Sequence, residues 1–160
     1  MTTPTDMRAA QAARPGSEIL GFDGVGVTYP NGTRALDGVD LRIRAGEFVS
    51  VVGPSGCGKS TLLSLASGLA THTDGYMQTG TDRIGYVFQD ATLLPWRTVE
   101  QNVEMLAELD GIGRTERRDR AAAAIELVGL AGFEKSLPRE LSGGMKMRVS
   151  LARSLTLDPE

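Results

Sequence analysis

The sequence has few of the residues that form disulfides or metal clusters, with one cysteine, Cys57, and one histidine, His72. A lone cysteine cannot form a disulfide within the chain, which favours the cytosol over an oxidising compartment. Long apolar runs are also lacking, since the best candidate, 48–52, has the length of a strand rather than of a membrane span. Positive charge is not in excess, because 17 Lys+Arg face 20 Asp+Glu, giving a net charge of −3. This balance argues against a protein that coats nucleic acid.

What is present is typical of a globular protein with one folded domain. The chain has 160 residues, 41% of them hydrophobic and 23% charged, which suits a single core. Residues 1–17 are rich in Thr, Ala, Pro and Arg and have no apolar stretch. They are predicted to be a disordered leader and not a secretory signal. The folded domain is predicted to span 18–160, with a helical subdomain over about 97–155.

Apolar spacing predicts a strand-rich half followed by a helical half. Predicted strands cover 19–29, the alternating residues Val39, Leu41 and Ile43, the β-branched run 48–52, and 84–88. The run 48–52 is predicted to be a buried parallel strand because it is almost continuously apolar. Helices are predicted for 59–69, within 98–128, and from Ser142 onward, with Met145, Val149 and Ala152 on one face.

A complete phosphate-binding loop lies between the predicted strand 48–52 and the helix that follows it. Such a strand–loop–helix context gives the pattern Gly-x-x-x-x-Gly-Lys-Ser its meaning and makes a chance glycine-rich turn a poor explanation. Glycines let backbone N–H groups converge on phosphate oxygens, and the helix N-terminus adds a positive dipole end. Lys59 is predicted to reach the β- and γ-phosphates, Ser60 to ligate Mg²⁺ and Thr61 to bind another phosphate oxygen. Cys57 is interpreted as filling a permissive loop position. The loop consists of Gly53, Pro54, Ser55, Gly56, Cys57, Gly58, Lys59, Ser60 and Thr61.

A second motif, Leu141-Ser142-Gly143-Gly144, begins 80 residues after the loop ends (141 − 61). Its Ser-Gly-Gly turn opens onto a predicted helix, so it has the form of an anion site without a lysine. Two such sites suggest that two subunits hold the two ends of one nucleotide. Simple phosphate-loop kinases and GTPases do not account for this second motif.

With Gly53–Thr61, Gln89 and Leu141–Gly144 in this order, the chain resembles the ATP-binding-cassette (ABC) family of transporter ATPases. The likeness covers about Ile19 to Glu160. The run Leu93-Leu94-Pro95-Trp96, and Met145 where glutamine is commonest, resemble the nitrate/sulfonate/taurine-type importers. The resemblance implies an α/β fold of the P-loop NTPase class, with an N-terminal antiparallel β part, a parallel-sheet core and a helical insertion.

The same resemblance implies site roles for residues outside the phosphate loop. Tyr29 stacks on adenine, although the residues alone also allow a strand aromatic packed in the core. Gln89 contacts Mg²⁺ and the attacking water and senses the membrane partner, so Lys59 and Gln89 are the catalytic candidates. Trp96 is either at the groove that receives the permease or an ordinary buried tryptophan. Ser142, Gly143 and Gly144 donate to the γ-phosphate of ATP held by the opposite subunit.

The resemblance also implies an apolar strand ending in Asp and Glu, and a later switch histidine, beyond residue 160. The chain is therefore interpreted as truncated before the Walker B motif. Asp158 and Glu160 are not that pair, since no apolar strand precedes them, and His72 is not the switch. We expect an ATPase by resemblance and an inactive 160-residue chain when it is taken alone, because the general base is missing.

The predicted function is the ATP-binding subunit of an importer, cytoplasmic and held at the inner membrane by its permease. Its implied partners are a second copy in a head-to-tail dimer, permease subunits and, indirectly, a solute-binding protein; its implied cofactors are ATP and Mg²⁺. A hydrolysis-deficient ATP-binding fragment is one alternative. A DNA-repair-type ABC ATPase is disfavoured, since the 53 positions from Gln89 to Ser142 (142 − 89) contain no heptads and no cysteine pairs. Lys146, Arg148 and Arg153 are interpreted as a solvated or interface face, not a nucleic-acid patch.

Overall fold

The computed structural model describes residues 16–159. It divides into two compact units, the first ending at Asp82 and the second running from Arg83 to Pro159. Nearly all of the predicted leader lies outside the described residues. The bounds predicted for the helical subdomain, about 97–155, stay a prediction.

The first unit is built on an antiparallel sheet of three strands. The strands are β1 (Glu18–Thr28), β2 (Arg34–Arg44) and β3 (Asp74–Thr79), in the order β2-β1-β3. β1 and β2 confirm the predicted antiparallel N-terminal part. β3 was not predicted, because only Met77 of its six residues is even partly buried and no apolar alternation marks it.

Helix α1 (Lys59–Ala66) packs on this sheet and begins where the sequence predicts. Its anchor is Leu65, which is fully buried, with Leu62 and Ala66 partly buried beside it. Because these side chains hold the helix against the sheet, they also fix the loop that precedes it. The apolar cluster of this unit comprises Leu20, Phe22, Val25, Val27, Leu36 and Leu65.

The segments 48–52 and 84–88, predicted to be strands of a parallel sheet, differ from the prediction. Neither has a strand partner among the described residues, and both are irregular. Phe48 is 93% exposed and Val52 is 88% exposed. A strand is defined by hydrogen bonds to a neighbour, and β-branched composition supplies propensity but no neighbour. Residues 16–159 therefore contain the antiparallel part and the helices but no parallel ladder.

The second unit is a cluster of three helices. They are α2 (Val99–Leu109), α3 (Arg114–Leu127) and α4 (Gly143–Leu155), with a short 3-10 turn at Pro138–Glu140. α4 confirms the helix predicted from Ser142, and Val149 and Ala152 are buried on the predicted face. The buried cluster comprises Val99, Val103, Ala121, Ala124, Ile125, Leu130, Leu141, Val149 and Ala152. Among residues 16–159, the helices are too short or too polar to cross a bilayer.

Candidate nucleotide site

The phosphate loop closes around a glycine that begins α1. Gly58 is the N-cap residue, with φ of 93°, and its carbonyl accepts the first helical hydrogen bond from Leu62 N at 2.9 Å. A positive φ of this size is easily adopted only by glycine. The first turn of α1 carries no acidic side chain, so the unpaired N–H groups and the dipole face the loop without a competing negative charge.

The Lys59 ammonium lies inside this loop. Its Nζ donates to Gly53 O at 2.9 Å and to Pro54 O at 2.6 Å, and lies 3.6 Å from Cys57 Sγ. The side chain thus folds back across the turn that the glycines make. The one positive charge of the loop therefore lies among its own carbonyl oxygens, beside the N-terminus of α1, whose unpaired N–H groups are the kind of donors that bind phosphate.

Tyr29 stands beside the phosphate loop in the same unit. It follows β1, and a tight turn fixes it through Gly32 N to Tyr29 O at 2.8 Å and Tyr29 N to Thr33 O at 2.9 Å. Its hydroxyl lies 3.1 Å from Thr61 Oγ1. The ring is 46% exposed and belongs to neither buried cluster, so the alternative of a core aromatic does not hold. The structure brings an exposed aromatic face and the phosphate loop together.

The residues fit Mg²⁺ of the kind that accompanies a nucleotide. Ser60 is the second residue of α1, with an exposed side chain at the loop. Mg²⁺ characteristically takes one or two protein oxygens and completes its octahedron with phosphates and water. Among residues 16–159 no group of three metal-ligating side chains forms a separate cage. The exposed Ser60 hydroxyl beside the phosphate loop is the kind of single protein oxygen that this cation takes together with phosphates and water.

The Ser-Gly-Gly motif is the N-terminus of α4 in the second unit. Ser142 is the N-cap, and its Oγ accepts from Met145 N at 3.2 Å. The hydroxyl hydrogen remains available to an acceptor. Gly143 and Gly144 are exposed, and a Cβ built on either would meet no atom within 4 Å. The first-turn N–H groups of a helix have no intrahelical acceptor, so this N-terminus could accept an anion, and its role as the predicted anion site stays a prediction.

Gln89 also belongs to the second unit, in an exposed bend that follows an irregular segment instead of a strand end. The residues after it are held firmly. Asn102 on α2 is fully buried, accepts from Leu94 N at 2.8 Å and donates to Leu94 O, Arg97 O and Thr98 O at 3.2, 2.9 and 3.0 Å. The segment leaving Gln89 is therefore fixed by side chains of the helices behind it.

Arg153 corrects the interpretation of α4 as carrying a solvated basic face. Its side chain is buried, with 8% of the residue exposed, and bonds to the segment after Gln89. Arg148 does lie at the surface and donates to Val128 O and Gly129 O at 3.0 and 3.2 Å. Lys146 is half-buried. Ser150, one turn earlier on the same side of α4, is buried as well.

Trp96 is 72% exposed, which rules out an ordinary buried tryptophan. It lies at the edge of a charged cleft of about 650 Å³ in the second unit. Internal ion pairs cross this cleft, among them Arg117–Glu104 at 3.1 Å and Arg97–Glu108 at 3.0 Å. An exposed indole beside such a cleft is typical of a contact surface. A capping box of Thr98 and Gln101 starts α2 next to it, a signal that the Thr-x-x-Gln spacing carries and that sequence reasoning missed.

A glycine-rich loop with its lysine folded across it, in front of a helix with an acid-free first turn, defines a P-loop nucleotide-binding protein. The chain belongs to the ABC transporter family, because the sequence model of that family matches residues 36–160. This confirms the predicted family.

Among curated relatives in this family, the chain is similar to ATP-binding proteins of importers. The chain is 45% identical over 150 residues to a nitrate import ATP-binding protein of Synechocystis, covering 89% of this chain and 56% of the relative. It is 43% identical over 148 residues to a taurine import ATP-binding protein of Yersinia pestis, covering 88% and 58%. An uncharacterised ABC transporter ATP-binding protein of Methanocaldococcus jannaschii is 48% identical over 152 residues, covering 90% and 54%. The chain thus spans about half the length of these relatives.

Solved structures confirm the fold class. A dimeric ATP-binding cassette in a post-hydrolysis state with ADP and Pi is similar at a TM-score of 0.78 and 35% identity, covering 88% of this chain and 71% of that one. An ABC transporter component of Clostridium perfringens is similar at a TM-score of 0.79 and 28% identity, covering 89% and 62%. The chain therefore has the fold of an ABC ATPase.

Proposed function

We propose that this protein is the ATP-binding subunit of an ABC importer that couples ATP binding and hydrolysis to solute uptake. The observation that carries the proposal is the placement of the Lys59 ammonium among the loop carbonyls, with exposed Tyr29 bonded to Thr61 beside it. One face of the first unit then offers a platform for a base and a cradle for its phosphates. The nitrate and taurine import relatives support the importer role.

Each element of the loop has a distinct task in this proposal. The backbone N–H groups of the loop glycines and Lys59 bind the β- and γ-phosphates, whereas Pro54 has no N–H to contribute, and Ser60 and Gln89 hold Mg²⁺. The cation, when bound, offsets the negative charge that develops on the transferred phosphoryl group. Thr61 positions a phosphate oxygen, and Tyr29 stacks on adenine. Gln89 orients the attacking water.

The second half of the site comes from a second copy in this proposal. Ser142, Gly143 and Gly144 donate to the γ-phosphate held by the partner subunit's loop, which requires a head-to-tail dimer. The dimeric cassette structures support such an assembly. ATP binding then closes two subunits around two nucleotides, and hydrolysis reopens them. The proposed permease receives this motion at the inner membrane from the cytoplasmic side, and its solute belongs to the nitrate, sulfonate or taurine class.

Replacing Tyr29 with alanine is expected to weaken the binding of ATP without weakening the binding of inorganic triphosphate. Stacking of a base on an aromatic ring contributes about 1–3 kcal/mol, so the Kd for ATP should rise about 5- to 150-fold. Tyr29→Phe keeps the ring and removes only the Thr61 hydrogen bond, and it should retain most of the affinity. Titration calorimetry with both ligands measures this.

The matched control for this prediction is Tyr76→Ala, since Tyr76 is an exposed tyrosine on β3 of the same unit. It should leave both affinities unchanged. An equal loss of ATP and triphosphate affinity in Tyr29→Ala would contradict stacking and would assign Tyr29 a role in supporting the loop.

Membrane coupling is tested through Trp96. When the full-length protein is co-expressed with an importer permease, Trp96→Ala should reduce the co-purified amount at least about tenfold. Loss of an aromatic anchor that contributes about 2 kcal/mol or more weakens binding about 30-fold or more. Leu127→Ala is the control, since Leu127 is equally exposed on α3 but does not line the charged cleft. Failure of the wild-type protein to co-purify with any such permease would count against the importer role.

A further inference from the structure

Arg153 is a buried cation held by main-chain oxygens rather than by an acid. Its Nη1 donates to Thr92 O at 3.1 Å, and its Nη2 donates to Ala91 O at 3.2 Å and Thr92 Oγ1 at 3.0 Å. Ser150 Oγ, on the same helix, lies 3.4 Å from Nη2. Within residues 16–159 no carboxylate pairs with this guanidinium. The guanidinium thus joins α4 to Ala91 and Thr92, which lie two and three residues after Gln89.

A charge in this position is costly to bury and must be stabilised locally. Burial lowers the pKa of Arg153, because desolvation disfavours the charged form. Among the described residues, the oxygens of Ala91, Thr92 and Ser150 offset that cost. A buried apolar residue would fill the same space at a lower cost in free energy. The presence of a guanidinium is therefore explained by the backbone of Ala91 and Thr92 that its N–H groups bind.

The residue that Arg153 holds has an unusual backbone. Thr92 has φ of 45°, in the left-handed region that non-glycine residues rarely adopt. Such a conformation persists when its surroundings enforce it, and it is concentrated at functional sites. The guanidinium binds both the carbonyl and the hydroxyl of Thr92. The turn that carries the chain away from Gln89 is therefore enforced from α4.

The loop is fixed at two points by two different helices. Arg153 on α4 holds Ala91 and Thr92, and Asn102 on α2 holds the segment from Leu94. The first contact connects Gln89 to the helix whose N-terminus is Ser142-Gly143-Gly144. Ser142 and Arg153 are 11 residues apart on this helix (153 − 142), a distance of about 16 Å at 1.5 Å per residue.

We infer that Arg153 is a positioning residue that links the Ser-Gly-Gly end of α4 to Gln89. When a phosphate or a partner moves α4, the guanidinium moves Ala91 and Thr92 with it, and Gln89 changes place. The inference rests on the proposed function for the role of Gln89. The link between Gln89 and the Ser-Gly-Gly motif is thus built into the second unit.

The mechanical part is tested by hydrogen exchange on the full-length protein. Arg153→Met should speed exchange at the amides of residues 91–94 at least about tenfold, with α2 and α3 still protected. Arg148→Met is the matched control, because Arg148 also donates to two carbonyls from α4 but at the end of α3. It should leave residues 91–94 unchanged. If Arg153→Met fails to fold, Arg153→Lys replaces it, since one ammonium cannot reproduce the fork.

The functional part is tested by a double-mutant cycle with Gln89→Ala. Arg153→Met should lower kcat for ATP about tenfold with KM changed less than about twofold, because misplacement affects chemistry more than binding. In the Gln89→Ala background the same substitution should lower kcat less than about twofold. Arg148→Met should change kcat by less than about twofold in either background.

The outcomes separate the inference from the proposed function. An equal loss of kcat in both backgrounds, or unchanged exchange at residues 91–94, overturns the positioning role. A wild-type protein without ATPase activity contradicts the proposed function instead, and the exchange comparison then decides on the link between Arg153 and the loop by itself.

Discussion

Replacing Lys59 with alanine is expected to abolish measurable ATP binding. The ammonium is the one charged group that the structure places within the phosphate loop, at 2.9 Å from Gly53 O and 2.6 Å from Pro54 O. Hydrogen bonds to charged groups contribute about 1.5–3 kcal/mol each. Loss of two of them to phosphate oxygens should raise the Kd at least about 100-fold. Titration calorimetry with ATP and Mg²⁺ measures it directly.

Two controls separate the lost charge from a disturbed loop. Lys135→Ala removes a lysine of the second unit whose ion pair with Glu100 is at the surface, and it should leave ATP affinity unchanged. Thermal unfolding without nucleotide reports whether Lys59→Ala destabilises the protein. With ATP, the wild type should melt at a higher temperature and Lys59→Ala should not, since only a bound ligand stabilises. Unchanged affinity in Lys59→Ala would contradict the assigned loop.

The parts of the fold that the sequence predicts are those with a local signal. Val39, Leu41 and Ile43 alternate, and they lie half-buried along β2. The glycine loop and α1 follow from spacing alone, since glycine conformations and the helix start are local properties. The motif at Ser142 is predicted for the same reason, because an N-cap is set by the residues around it.

What was missed depends on contacts between distant residues. The run 48–52 has the composition of a buried strand, yet Phe48 and Val52 are exposed because no neighbour pairs with them. β3 shows the opposite case, since its residues have no apolar alternation yet pair with β1. Arg153 reads as a surface cation in a basic helix, and only the fold shows that it is turned toward Thr92. Propensity cannot supply a partner 61 residues away.

Replacing Gly58 with alanine is expected to be the most damaging substitution of a small residue in the loop. A Cβ at this position would lie 2.4 Å from Ala35 O and 2.8 Å from Leu36 Cδ2 of β2. The carbonyl belongs to the backbone of β2 and cannot move aside cheaply. The left-handed conformation, with φ of 93°, adds about 1–2 kcal/mol, and overpacking adds about 1–3 kcal/mol. The free energy of unfolding should therefore fall by about 2–5 kcal/mol.

Gly68→Ala is the matched control, since Gly68 follows the other end of α1 with φ of 71° and open space around its Cβ. It should lose only the conformational part, about 1–2 kcal/mol, and keep its affinity for ATP. Urea unfolding gives the free energy of unfolding of each variant. The difference between the two values measures the cost of crowding the contact between the loop and β2. If Gly58→Ala and Gly68→Ala are equally stable, the contact with Ala35 does not constrain the loop. If Gly58→Ala is the less stable of the two and also binds ATP at least about tenfold more weakly, the sheet fixes the loop geometry that the phosphates need.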